Sequence, residues 1–302
     1  MNQGHIMNNT EIISTKNGYN IIDDKEKGYI HVSPIPEQED LEKIYAEEYY
    51  TEEKEDYIDN TMKDLDWWET IYNDKYEIFN KYITAKDKKM LDIGCGSGYF
   101  MKYGNEIGWD CYGIEPSKKA SDHAKSNSLN VLNQSFKNDL FENEQFDVVH
   151  MNQVLEHIAE PEKMLSGIHN IIKEDGLLCI SVPNDFSPFQ DLLTKDLDYN
   201  KWWLAPPYHL NYFTVKTLKT LIENHGFEVV LEEATFPMEL FLLMDENYID
   251  KPELGREVHQ KRKLFDIRLS KYDNDLKRKL YQSLAKLNIG RHIILYAKKV
   301  SK

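Results

Sequence analysis

Apolar and polar positions change period several times along this chain. Between residues 89 and 182, short apolar runs alternate with stretches whose apolar residues recur every three or four positions. Such runs predict buried strands, and the helical spacing predicts amphipathic helices. The pattern reads strand 89–93, helix 99–107, strand 110–114, helix 117–127, strand 130–133, strand 146–150, helix 160–173 and strand 176–182. In helix 160–173, Met164, Leu165, Ile168, Ile171 and Ile172 share one face, and Pro161 suits the first turn. Thr214 is placed to cap a further helix with Val215, Leu218, Leu221 and Ile222 inward, stopped by Gly226. Phe227–Ala234 and His292–Lys298 read as the last two strands. Ahead of this unit, Gly28 to Val32 predicts one short strand closed by Pro34 and Pro36. Acidic, aromatic-rich helices follow near Glu37–Tyr45 and Tyr57–Tyr82. The alternation predicts an α/β fold, a doubly wound and mostly parallel seven-stranded sheet covered on both faces.

Three segments exceed the minimal sheet: residues 1–86, 184–213 and about 235–290. We expect residues 1–86 to form a helical lid, residues 87–234 with 291–300 the sheet domain, and residues 235–290 a helical insertion. Connections of this length are commonly binding loops or lids, and open sheets of this type bind ligands at the carboxyl ends of their strands.

The candidate chemistry sits after the first strand of the unit, in Met90-Leu91-Asp92-Ile93-Gly94-Cys95-Gly96-Ser97-Gly98-Tyr99-Phe100. Three alternating glycines let backbone approach a ligand closely. The spacing is G-x-G-x-G; the dinucleotide fingerprint needs a third glycine where Tyr99 stands, and no phosphate-cradling G-x-x-x-x-G-K-[ST] run is present. That counts against a nicotinamide-dependent oxidoreductase. Glu115 ends the next strand, 21 residues after Gly94, about where an acidic residue takes ribose hydroxyls in such sheets.

These residues resemble the class I S-adenosylmethionine-dependent methyltransferases. Leu91 to Gly98 resembles their first motif and Gly113-Ile114-Glu115-Pro116 the second. Phe146 to His157 resembles the fourth-strand motif of the branch with the ubiquinone-pathway O-methyltransferases, and Gly176 to Asn184 the fifth strand and its exit. The resemblance implies a Rossmann-like methyltransferase fold that binds S-adenosylmethionine and releases S-adenosylhomocysteine. It implies that Asp92 and the backbone of Gly94, Cys95, Gly96 and Gly98 hold the methionine end of that donor. Glu115, beside Pro116, would hold the ribose. Gln134, Ser135 and Phe136 follow the third strand, where relatives cover the adenine; Phe136 also reads as a core residue. Met151 and Asn152 follow the fourth, where they line the donor pocket or form a plain strand-end turn. Gly28 to Tyr50 resembles a segment that relatives place after a zinc ribbon; the ribbon cysteines are missing, so no metal is expected.

A hydroxyl acceptor must lose a proton, and histidine suits that task. His157 and His209 are the catalytic candidates. Each has a bland alternative: His157 as a loop tether through a backbone hydrogen bond, His209 as an anchor under the lid. The Trp67-Trp68 and Trp202-Trp203 pairs read as packing or as platforms for an acceptor ring.

Charge narrows the partners. The net charge is −15 and the pI about 5.2, which disfavours nucleic acid. Lys251 to Lys302 nevertheless carries 15 basic and 5 acidic residues, a balance of +10. Its runs Lys261-Arg262-Lys263 and Lys277-Arg278-Lys279 either dock a phosphorylated acceptor, such as a nucleotide-linked sugar, or pair with the acidic N-terminal helices. The three cysteines form no C-x-x-C pair, the N-terminus is polar, and no apolar run reaches 18 residues. We therefore expect a cytoplasmic enzyme with a small polar acceptor and no membrane span, with oligomeric state open. A donor-binding protein without transfer activity and a methyltransferase of protein or RNA remain the alternatives.

Overall fold

The computed structural model describes residues 10–44, 61–141, 143 and 145–300. The chain begins there with a hairpin. β1 (Thr10–Lys16) and β2 (Tyr19–Asp24) pair antiparallel across Asn17-Gly18, whose φ angles are 51° and 82°. Positive φ at both positions gives the two-residue turn whose twist matches paired strands. β3 (Tyr29–Ser33) adds to β2, so the segment expected to be a helical lid is in part a β-sheet. The helices α1 (Gln38–Lys43) and α2 (Leu65–Tyr82) follow. Tyr45 and residues 57–60, where the two expected helices ended and began, lie outside the described residues.

The alternating unit then runs β4 (Lys89–Ile93), α3 (Tyr99–Glu106), β5 (Asp110–Ile114), α4 (Lys118–Ser126), β6 (Asn130–Leu132) and β7 (Phe146–Asn152). A 3-10 turn (Leu155–His157), α5 (Pro161–Ile171) and β8 (Ile172–Pro183) come next. The segment after β8 holds α6 (Pro188–Asp196) and β9 (Asn211–Tyr212). β9 pairs with β3 and completes a four-stranded antiparallel sheet in the order β1-β2-β3-β9. The chain closes through α7 (Val215–Asn224), β10 (Phe227–Ala234), α8 (Glu239–Leu243), α9 (Pro252–Tyr272), α10 (Asn274–Lys286) and β11 (His292–Lys299). Thr214 caps α7 as expected, accepting from Thr217 N at 3.2 Å.

The central sheet has the order β10-β11-β8-β7-β4-β5-β6, antiparallel only at β11. Its buried strands alternate between two cores. In β8, Leu178, Ile180 and Val182 join the core with α5 and α7, while Leu177 and Cys179 join the core with α2 and α3. Because both faces are covered, these strands read as near-continuous apolar runs. The chain order reverses between β4 and β7, and the carboxyl ends on either side of that point open a crevice. Among the described residues, no helix is long and apolar enough to cross a membrane.

Candidate functional site

The glycine turn between β4 and α3 is held by backbone. Gly94 N and Cys95 N both donate to Ile114 O, at 2.8 and 3.1 Å. Gly94 has φ +72°, and a Cβ there would lie 2.5 Å from Val154 Cγ2. Gly98 begins α3 at φ +82°, with space for a Cβ filled by Leu129 Cδ1 at 2.4 Å. Both positions therefore demand glycine, for close packing as much as for φ. The turn presents Gly96 N to Glu115 Oε2 at 2.8 Å, and Ser117 N donates to Glu115 Oε1 at 2.9 Å. Burial pushes the Glu115 carboxyl up to about 7, against the pull of those two N–H donors.

Asp92 sits at the end of a buried polar chain. His150 Nδ1 lies 2.7 Å from Asp92 Oδ1, and Lys75 Nζ lies 2.8 Å from His150 Nε2 and 3.1 Å from Asn152 Oδ1. Burial first, then the Lys75 charge, pushes His150 down to about 4, so its ring is neutral near pH 7. One tautomer satisfies every contact: Nδ1–H donates to Asp92, and Nε2 accepts from Lys75. The chain fixes one oxygen of Asp92. Burial also lowers the pKa of the Lys75 amine.

These groups line one cavity of 1180 Å³. The lining includes Asp92, Gly94, Glu115, Ser135 and Phe136 from the sheet's strand ends and the connections after them, and Trp67, Trp68, His259, Arg262 and His292 from α2, α9 and β11. Gln153 Nε2 donates to His292 Nε2 at 3.1 Å, which leaves Nδ1–H to face Thr235 Oγ1 at 3.3 Å.

Of the residues singled out from sequence, Asp92, Gly94, Cys95, Glu115, Pro116, Ser135, Phe136, Asn152 and His157 line the cavity. Gly96 acts through its N–H on Glu115, and Gly98 through packing. Gln134 stands beside the wall. Met151 does not reach the cavity: strand alternation turns it into the core, fully buried, while its neighbour Asn152 faces the opening. His209 is also set back from the wall. Its loop is drawn onto the 3-10 turn by Leu210 N donating to Glu156 O at 2.8 Å, and its ring meets that of His157 edge-on at 5.0 Å. His157 is tethered as its bland reading expected, with Nδ1 2.7 Å from Tyr208 O, yet it also lines the cavity. Glu156, His157 and His209 bring one ligand atom each within 4.8 Å of one another, a cluster that the expectation of no metal had not foreseen. Trp203 packs inside the four-stranded sheet's core; Trp67 and Trp68 line the cavity.

Lys75, His150 and Arg262 were missed or left open. Lys75 carried a signal: it interrupts the buried face of α2 formed by Trp67, Tyr72, Tyr76 and Phe79. The basic runs largely pair with the N-terminal helices, through Lys263–Asp64 at 2.5 Å, Lys277–Asp74 at 2.5 Å and Arg278–Glu77 at 2.8 Å.

A family model described as a methyltransferase domain matches residues 69–232. A ubiquinone biosynthesis O-methyltransferase of Glaesserella parasuis is 36% identical over 108 residues, covering 32% of this chain and 46% of that protein. One from Coxiella burnetii is 27% identical over 134 residues, covering 39% and 57%. The chain thus spans about half the length of the curated relatives it matches. The crystal structure of a SAM-dependent methyltransferase from Archaeoglobus fulgidus aligns with a TM-score of 0.49 at 18% identity, over 76% of this chain and 94% of that one.

Proposed function

Since the chain belongs to the methyltransferase-domain family, matched over residues 69–232, we propose that it moves a methyl group from S-adenosylmethionine to a small polar acceptor, such as the hydroxyl of a sugar or nucleotide-linked sugar. The observation that carries this reading is the Glu115 carboxylate, held against the glycine turn by Gly96 N and Ser117 N and lining the same cavity as Asp92. The residues fit the donor. Asp92 keeps one oxygen outside its bond to His150 for the donor's ammonium, and Glu115 can accept from two ribose hydroxyls. The 1180 Å³ of space exceeds the roughly 300–1,000 Å³ usual for one small ligand, which supports two occupants. In this reading the sheet domain of residues 87–234 with 291–300 holds the donor and supplies His157, while α2 and residues 235–290 contribute the acceptor's contacts.

When bound, S-adenosylmethionine supplies a methyl group already activated by its sulfonium. The chain then has to position the acceptor and take its proton; positioning alone is worth roughly 7–11 kcal/mol at best. We assign the proton to His157 Nε2. Its Nδ1–H is held on the Tyr208 carbonyl, so the lone pair is at Nε2, and Glu156 Oε1, 3.8 Å from Nε2, stabilises the cation that forms.

Calorimetry with S-adenosylhomocysteine, followed by labelled-methyl transfer to a panel of hydroxylated metabolites, tests the proposal. Micromolar binding and transfer to a small acceptor are expected. Binding of NAD in place of the donor product would overturn it. Donor binding with only slow donor hydrolysis across the panel would favour a binding protein without transfer activity.

A further inference from the structure

The cavity lining also holds a guanidinium whose nearest carboxylate among the described residues lies beyond hydrogen-bond range. Arg262 is buried on α9, 7% exposed, and lies 4.9 Å from the Trp67 ring centre. Its flanking lysines are paired, Lys261 with Glu246 at 2.6 Å and Lys263 with Asp64 at 2.5 Å. Arg262 is different. The nearest carboxylate, Asp266, stands 3.9 Å from Arg262 Nε, beyond hydrogen-bond range. Each Asp266 oxygen already has a donor: Trp67 Nε1 on Oδ2 at 2.8 Å, and the Tyr281 hydroxyl on Oδ1. Arg262 Nε is buried with no hydrogen-bond partner among the described residues.

Burial disfavours that charge, and among the described residues Asp266 offsets it only through space, without a hydrogen bond. His259 and His292 share the wall, and burial, reinforced by the Arg262 charge, holds His259 down at about 4 and His292 well below its usual range, so both are neutral. Among the described residues, the carboxylates that line the cavity, Asp92, Glu115, Asp139 and Glu160, belong to the ends of β4 and β5, the connection after β6 and the residue before α5. None comes from α2, α9 or β11. A buried guanidinium lacking its oxygens is costly, and its planar fork matches two oxygens of a carboxylate or phosphate.

We propose that the acceptor carries an anionic oxygen group, carboxylate or phosphate, which pairs with Arg262 while the uncharged remainder lies against Trp67 and Trp68. This inference rests on the methyl-transfer reading and narrows its acceptor. Arg262 would then set acceptor affinity and leave the donor site untouched, because Arg262 stands on α9 while Asp92 and Glu115 stand at the ends of β4 and β5.

The test uses the full chain saturated with S-adenosylhomocysteine, titrated calorimetrically with phenyl phosphate, benzoate and benzyl alcohol. At least one anion should bind about tenfold or more tightly than the alcohol, as expected for a charge-assisted hydrogen bond. The tighter of the two anions identifies the acceptor's group. Arg262→Gln should bring all three probes within about threefold of one another, and Arg262→Lys should retain part of the preference, with S-adenosylhomocysteine affinity unchanged in both. Equal binding of anions and alcohol by the wild-type protein would overturn the inference without any variant. An anion preference that survives Arg262→Gln would do so too; should that variant not fold, a full preference in Arg262→Lys counts in its place against the bidentate pairing. Failure of the wild-type protein to bind S-adenosylhomocysteine would instead sink the methyl-transfer reading.

Discussion

Replacing Glu115 with Gln tests the donor site most directly. The wild-type carboxylate uses one oxygen for Gly96 N and the other for Ser117 N, at 2.8 and 2.9 Å. A glutamine amide offers one oxygen and one NH₂, so one of those N–H groups would face another donor. An unsatisfied buried donor costs about 1–3 kcal/mol, and the loss should appear as a lower denaturation midpoint. Donor affinity should fall further. Hydrogen bonds from ribose hydroxyls to a carboxylate are worth about 1.5–3 kcal/mol each, against 0.5–1.5 for a neutral acceptor. Over two hydroxyls the difference is about 2–3 kcal/mol, or roughly 30- to 150-fold in Kd.

The charge adds a pH signature to the same experiment. Burial raises the Glu115 carboxyl to about 7, so in the free protein it is half protonated there. Hydroxyls donate to the ionised form. Wild-type affinity for S-adenosylhomocysteine should therefore weaken as pH falls from 8 to 6, with proton release on binding near pH 7, while Glu115→Gln should lack this dependence. A deoxyribose analogue of the product should lose more affinity relative to the parent compound in the wild type than in the variant. A variant that keeps wild-type stability and binds within about threefold of wild type would refute the placement of the ribose on Glu115.

His157→Ala should lower turnover by about two decades or more with S-adenosylhomocysteine affinity near wild type; unchanged turnover with the true acceptor would remove His157 from the mechanism. In the same assay a chelator should leave wild-type turnover unaltered, and a chelator-sensitive, metal-restored activity would reassign Glu156, His157 and His209 to a cation. Gly98→Ala places a methyl 2.4 Å from Leu129 Cδ1 at φ +82°. It should cost about 2–4 kcal/mol in urea unfolding, and a midpoint matching wild type would contradict the packing argument. Asp185 is buried, neither carboxylate oxygen has a hydrogen-bond partner among the described residues, Arg291 Nη1 is 3.7 Å away, and burial outweighs that charge to raise it to about 7 from 3.8. The native state thus holds a proton that the unfolded chain releases between about pH 4 and 7, so this group lowers stability as pH rises through that window. Asp185→Asn should be more stable than wild type at pH 8, by about 1 kcal/mol or more; parallel stability–pH curves would count against it.

The central sheet was legible because each of its signals is local. Buried parallel strands are continuous apolar runs, Thr214 and Pro161 mark helix starts within a turn, and Gly94 and Gly98 announce backbone that no other residue tolerates. The four-stranded sheet was half legible. Asn17-Gly18 is a strong local hairpin signal, whereas β9 is two residues long and exists only because β3 lies beside it. Trp202-Trp203 and Trp67-Trp68 look alike in sequence and diverge in space, the former including a core residue, the latter both at the cavity.

By itself the sequence determined the order of strands and helices, the glycine turn, and the two acidic residues beside it, since period, backbone freedom and short-range spacing are properties of neighbouring residues. Only the tertiary structure decided that Lys75 meets His150 from 75 positions away, that Trp67 lies under Arg262, and that His209 backs His157 instead of facing the cavity. Those relations depend on how separate helices and loops pack on a common sheet. The burial that makes Glu115, His150 and Arg262 chemically unusual arises only when distant segments remove them from water.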